Sequence, residues 1–418
     1  MAWLLIHFSR GMGELTMMGS RQVAQGALFY EFTIEDHVPA DHLLKGIDRF
    51  VDLGDMRHHL APFYSTTGRP SIDPELMIRM LIVGYAFGIR SERRLCEEVH
   101  LNLAYRWFCR LDIADPVSDH STFSKNRHGR FRESNLFRHL FEAVLARCIA
   151  EGLVGGESFG ADASLIKADA SRYTKADFSE WSAEDGASRA TQEYLDTLDD
   201  AAFGAATPVK PKAISPTDPA ARFTGANGDK PFFAYSTNYL VDLDNAIIVD
   251  VEATVPIRQA EVGAGRDMLT RTRERFDLHP DTLAADTAYG TAEMLGWLVD
   301  EQNIEPHIPV FEKSERKDGA YPATDFAYDE AADEYHCPGG QALKPYWWDI
   351  LKGRPEFGKD GFKKYFARKQ DCAACALKPR CTPNQTTRKI SRSRHEHARQ
   401  KCDLALNNET AIPTISYV

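Results

Sequence analysis

The sequence predicts a chain of mixed class, α+β to α/β: an all-helical N-terminal domain, then a mixed-sheet domain carrying a cysteine-rich ribbon insertion. Three observations predict it. Apolar residues keep helical spacing up to about residue 155. The period then changes to strand-like runs in the order β-β-β-α-β-α-β, and a meander followed by αβ units makes a mixed sheet. Four of the eight cysteines crowd between residues 337 and 381.

Each element has its local reason. Residues 1–29 read as an N-terminal extension in which Met17 and Met18 offer later starts. In the helical domain, 30–155, "SIDPELMIRMLIVGYAFGI" opens with Asp73 as a cap and Pro74 at the first helical position. "SERRLCEEVHLNLAYRWF" restarts after Gly88, capped by Ser91, and "NLFRHLFEAVLARCIAEGL" is amphipathic and ends at Gly152. The mixed-sheet domain spans 156–311. "SFGADASLI" is its first strand, and 170–230, poor in large apolar residues, is an exposed loop or insertion. "FFAYSTNYLVDLD" and "AIIVDVEATV" are strands joined by a short turn. Helix, strand ("TLAADTAYG"), helix and strand ("IEPHIPV") follow.

Composition bounds the function. The 418 residues are 43% hydrophobic and 27% charged, which fits a soluble chain of two or three domains. No apolar run approaches the roughly 20 residues of a membrane span. "MAWLLIHF" is too short for a signal peptide, so the cytoplasm is the expected compartment. A net charge of −11 excludes a uniformly basic surface, yet residues 351–401 hold 15 Lys/Arg against 4 Asp/Glu. Such a run in an otherwise acidic chain suits phosphate contact.

Two aspartates stand out. Asp162 interrupts the apolar run of the first strand, and Asp286 follows the short run 282–285. Singly, each is ordinary turn chemistry. In this strand order the first and fourth strands can be neighbours, about 4.8 Å apart. Two carboxylates so placed repel and raise each other's pKa, and a Mg²⁺ or Mn²⁺ between them turns the liability into a use.

Cys337 with C-x2-C-x5-C (Cys372, Cys375, Cys381) matches a tetrahedral structural Zn²⁺ site; the alternative is four reduced surface thiols. A ribbon over 312–385 would enclose it, leaving 386–418 as a basic C-terminal segment. Cys96, Cys109 and Cys148 read as reduced core residues. Trp347 and Trp348 suit base stacking and a ribbon core equally well.

At these residues the chain resembles bacterial insertion-sequence transposases of the DDE class, whose catalytic domain is ribonuclease H-like. The motifs are "GRPSIDPELMIRMLIVGYAFGIRSERRLCEEVHLNLAYRWF", "DHSTFSKNR", "FGADASLIKADASR", "NYLVDLDNAIIVDVEATV" and "AADTAYGTAEML", covering about residues 20–400. The resemblance implies that Asp162 and Asp286 are the first two catalytic acids. It also implies metal-dependent cutting and joining of double-stranded DNA at terminal inverted repeats, by a homodimer near the nucleoid. Candidate DNA contacts are Lys125, Arg127 and Arg130, on a short helix capped by Ser118 or Asp119, and Arg388, Lys389, Arg392 and Arg394 in the basic tail. The family's third acid, a Glu in a Tyr…Arg…Glu…Lys helix, has no counterpart: Glu396 comes too early and Glu409 lacks the setting. The expectation is a chain cut short or frame-shifted near Lys401 and catalytically defective. Two alternatives are a DNA-binding remnant acting as a repressor of transposition and an unrelated metal-dependent hydrolase.

Overall fold

The computed structural model describes residues 32–65, 67, 71–177, 213–225, 230–310, 320–346, 351–359 and 361–407. The chain divides into two compact units, residues 1–141 and 142–418.

The first unit is helical, as expected. Its elements are α1 (Ile34–His37), α2 (Leu43–Phe50), α3 (Met56–Leu60), α4 (Pro74–Ala86), α5 (Glu92–Leu101), α6 (Leu103–Phe108), α7 (His120–His128), α8 (Arg130–Glu133) and the start of α9 (Leu136–Ala150). The caps are those the sequence calls for. Asp73 accepts the Glu75 N–H at 3.2 Å, and Ser91 accepts that of Arg94 at 3.4 Å. Of the two candidates ahead of α7, Asp119 is the cap, accepting the Ser121 N–H at 2.8 Å; the Ser118 hydroxyl is buried against the Met80 sulfur. Gly88, at φ +66, turns the chain between α4 and α5. Met77, Ile78, Met80 and Val83 of α4 join Leu44, Leu60, Val99, Phe108, Phe123 and Phe131 in one core. Arg79 is buried there too, neutralised by Asp48 at 2.7 Å and Glu75 at 2.9 Å.

The second unit holds a six-stranded sheet. Its strands are β1 (Ser158–Lys167), β4 (Arg222–Thr224), β5 (Phe232–Asp242), β6 (Ile247–Thr254), β7 (Thr282–Ala285) and β8 (Glu305–His307), with β2 (Ala176–Asp177) and β3 (Ala213–Ile214) as a separate pair. The order is β4-β5-β1-β7-β8, with β6 also on β5. β5 runs antiparallel to both β1 and β6, whereas β7 and β8 run parallel to β1. This is the ribonuclease H-like architecture. Part of the expected insertion is not a loop: Arg222–Thr224 pairs with β5, because Ala221 and Phe223 bury themselves with Phe233 and Ala168. Ala176–Asp177 and Ala213–Ile214 of that insertion also pair, and its residues 178–212 and 226–229 lie outside the described residues.

Two helices link the strands. α10 (Arg258–Phe276) joins β6 to β7, and its Arg271 binds Asp250 and Glu252 of β6, both at 2.7 Å. α11 (Ala292–Gly296) continues as a π-helical turn to Gln302 before β8.

The ribbon is an antiparallel sheet of β9 (Ala327–Asp329), β10 (Glu334–His336), β11 (Ala342–Pro345), β12 (Phe362–Ala367) and β13 (Lys389–Ser393), with α12 (Lys369–Ala373) and α13 (Lys378–Cys381) between the last two strands. Phe326, Tyr335, Leu343, Tyr365 and Ile390 form its core. The ribbon therefore reaches Ser393, past the expected limit of 385, since alternation in "KISRS" seats Ile390 inside.

A helix then follows where the sequence promised none. α14 (Glu396–Asn407) returns to β8 and α11. The buried Cys402 thiol donates to the carbonyls of Pro306 and Ile308, at 3.3 and 2.8 Å. At Gly296 a Cβ would lie 2.0 Å from His395 Nδ1, so the two helices meet across a residue with no side chain. His395 and His397 both reach Asp300, at 3.4 and 2.7 Å.

Candidate active site

β1 and β7 run parallel in register from Ser158↔Thr282 to Ala161↔Ala285. The next residues in that register are Asp162 and Asp286. β7 ends there, while β1 continues to Lys167 along β5. Strand alternation sorts the faces. Phe159 and Ala161 are buried on the face that α10 covers, next to Asp242 and Leu240 of β5. Asp162, opposite Tyr239, belongs to the other face and is half-buried.

The electrostatics agree with this placement. Burial, chiefly, and then the neighbouring Asp286 charge push the Asp162 carboxyl above its usual range, although a backbone hydrogen bond at Ala163 works the other way. Asp286 is fixed by its turn: Oδ1 accepts the Ala288 N–H at 2.8 Å, and the Tyr289 N–H returns to its carbonyl at 3.1 Å. A half-buried carboxylate facing an exposed one, both hard oxygen donors of like charge, suits Mg²⁺ or Mn²⁺. Among the described residues, no group of three or more His, Cys, Asp or Glu side chains stands in an arrangement that would hold a metal ion as it is.

Two residues near the pair went unread in the sequence. Tyr289 is 2% exposed, and burial with the charges of Glu261, Asp286 and Asp162 raises its phenol. It packs against α10, where a Cβ on Gly265 would sit 2.7 Å from its ring. Glu261, near the start of α10, accepts the Ser236 hydroxyl at 3.4 Å. The aromatic residue in "DTAYG" was the available signal for Tyr289. Glu261 gave none, because only the crossover of α10 brings it there.

Glu396 heads α14 and is bound by Arg399 at 3.1 Å; its charge acts on Arg392 and Tyr335 of the ribbon. Glu409, Trp347 and Trp348 lie outside the described residues.

The expected DNA contacts divide by what their charges already do. Lys125 on α7, Lys389 and Arg394 are exposed. Arg127 is tied to Glu92 and to the Tyr85 hydroxyl, and Arg130 lies over the Tyr64 ring and binds Asn126. Arg388 is buried: it donates to the carbonyls of Cys381 (3.1 Å) and Tyr321 (2.8 Å) and stacks over Phe326. Arg392 lies 3.9 Å over Tyr328. Arg388 and Arg392 thus hold the ribbon together, because β13 turns them toward its core.

Two families match the chain. Residues 32–129 fit the family described as "Transposase domain (DUF772)", and residues 205–403 fit "Transposase DDE domain". No curated protein and no solved structure matches. No helix among the described residues is long and apolar enough to cross a membrane. With its helical unit, its ribonuclease H-like sheet and both domains in this order, the chain belongs to the DDE transposases of insertion sequences, which act on DNA with a divalent metal.

Proposed function

We propose that this chain recognises the terminal inverted repeats of its own insertion sequence and that Asp162 and Asp286 are the carboxylates of the DNA-cutting site. One observation carries this: the parallel pairing of β1 with β7 brings two aspartates, 124 positions apart in the chain, side by side one step past the last paired residues, Ala161 and Ala285. The two carboxylates would hold Mg²⁺ or Mn²⁺, which lowers the pKa of a bound water or 3′-hydroxyl and offsets charge on a phosphoryl group. Asp286, fixed by its turn, is the rigid donor; Asp162, held above its usual pKa, gains most from a cation. The four ribbon cysteines take no part in this chemistry and hold a structural Zn²⁺. Exposed Lys125, Lys389 and Arg394 are the first candidates for phosphate contact. The setting is cytoplasmic, on nucleoid DNA, and the working form is a homodimer.

Among the described residues no third acid joins the pair in a metal-holding group. That observation favours a second reading, in which the chain binds its repeats but cuts them poorly and so acts as a repressor of transposition. A Mg²⁺-dependent cleavage assay on the element's own ends, run beside a gel shift at several salt concentrations, separates the two. Efficient cutting would refute the repressor reading. Salt-sensitive binding without cutting would support it, and absence of binding would sink both.

A further inference from the structure

The ribbon cysteines come from two turns. In the first, "CPGG", the Gly340 N–H donates to the Cys337 carbonyl at 2.8 Å and the Gln341 N–H donates to the Cys337 sulfur at 3.3 Å, with Gly340 at φ +77. In the second, the Cys375 N–H donates to the Cys372 carbonyl at 3.4 Å, and α13 then delivers Cys381. The turns face each other across Gly339, whose Cβ would stand 3.5 Å from the Cys375 sulfur and 3.6 Å from that of Cys337. All four thiols are free, half-buried, and line one cavity of about 30 Å³. Drawing them onto one ion takes a turn of the side chains toward that cavity.

A Zn²⁺ ion held by four thiolates keeps two net negative charges, which a half-buried site must offset. The cavity wall also contains Asp371, Lys378 and Arg388. Of the two cations only Arg388 is buried, and its guanidinium is fixed to the backbone carbonyl of the ligand residue Cys381. Its second bond, to the Tyr321 carbonyl, ties the entry of the ribbon to its exit. A phosphate-contacting arginine has no reason to be so enclosed; a charge-balancing one does.

Resting on the reading of the ribbon as a zinc carrier, we infer that Arg388 is the positioning residue that offsets the charge of a four-thiolate Zn²⁺ site formed by Cys337, Cys372, Cys375 and Cys381. Uptake replaces four S–H protons by one Zn²⁺, and the protons leave to solvent. Arg388 contributes no ligand atom. It holds Cys381 in place and supplies positive charge beside it.

The test uses the full chain. Metal content is measured by mass spectrometry, zinc affinity by competition with a chromogenic chelator, and ligand type from the thiolate-to-cobalt absorption after Co²⁺ substitution. The expected result is one zinc per chain, lost in Cys372→Ser. Arg388→Met should weaken zinc binding about 10- to 100-fold, the usual effect of losing an outer-shell partner, and shift the cobalt bands, whereas Arg388→Lys recovers most of both. A chain that takes up no zinc overturns the ribbon reading and the inference together. Full affinity and unshifted bands in Arg388→Met overturn the role of Arg388 alone. Equal failure of the Lys and Met variants also overturns it, since charge would then not be what matters. None of these readouts depends on DNA cleavage.

Discussion

The aspartate pair and the cysteine ribbon, both proposed above to hold metal, bring their donors together in two different ways. The ribbon draws its four thiols from two tight turns within 45 residues, and the turns carry their own N–H donors. The aspartates come from strands 124 residues apart and meet only because β7 settles beside β1 in one register. On the proposed reading, four thiolates would close a zinc site, whereas two carboxylates would leave coordination positions for water and substrate. A closed local site is suited to holding a fold, and an open nonlocal one to chemistry. The difference teaches that the proposed cutting site depends on the whole sheet, but the ribbon depends mainly on itself.

The sharpest way to break this contrast is at the open site. Asp162→Asn or Asp286→Asn should lower any Mg²⁺-dependent nicking by about 10²- to 10³-fold, as removal of one charge-stabilising group does. Zinc content and DNA affinity should stay unchanged, as checked by metal analysis and gel shift. Leu283→Ala, in the fully buried middle of β7, should cost about 2–5 kcal/mol by denaturant unfolding and loosen Asp286 without releasing zinc. Zinc loss in that variant would show that the two sites are not independent.

A smaller effect follows from the raised Asp162 carboxyl. Its folded pKa exceeds the unfolded one, so the native state binds more protons between the two values, and stability falls as pH rises through that window. The full cost is present above the folded pKa. Asp162→Asn should therefore melt higher than the parent at pH 7 and nearly level with it below the ordinary carboxylate range; an unchanged difference across pH would contradict this. Smallest of all, Lys389→Glu should weaken DNA binding modestly and reduce the salt slope by about 1. Arg388→Met should leave that slope alone while changing zinc.

The sequence made the periodic parts legible. Helix starts at Pro74, Glu92 and His120 follow from Asp73, Ser91 and Asp119, which are local signals. The β1 and β7 strands and their aspartates were also readable, since each run announces itself and the element order limits the pairing. What stayed hidden was nonlocal. Arg222–Thr224 gains its strand only from the edge of β5, and α14 owes its helix to packing on β8 and α11 more than to its own pattern. Counting charge in the tail could not separate Lys389, which faces water, from Arg388, which faces the ribbon core. One residue along a strand reverses the face.

Gly296 makes the helix seam a constraint on inheritance. Even alanine there would collide with His395, so neither position can drift freely while α14 keeps its place on α11. An alignment of relatives should therefore show glycine retained at 296 wherever an aromatic side chain stands at 395, with larger residues admitted only together with a smaller partner. The seam would then be visible as a paired record of substitutions, readable from sequences alone.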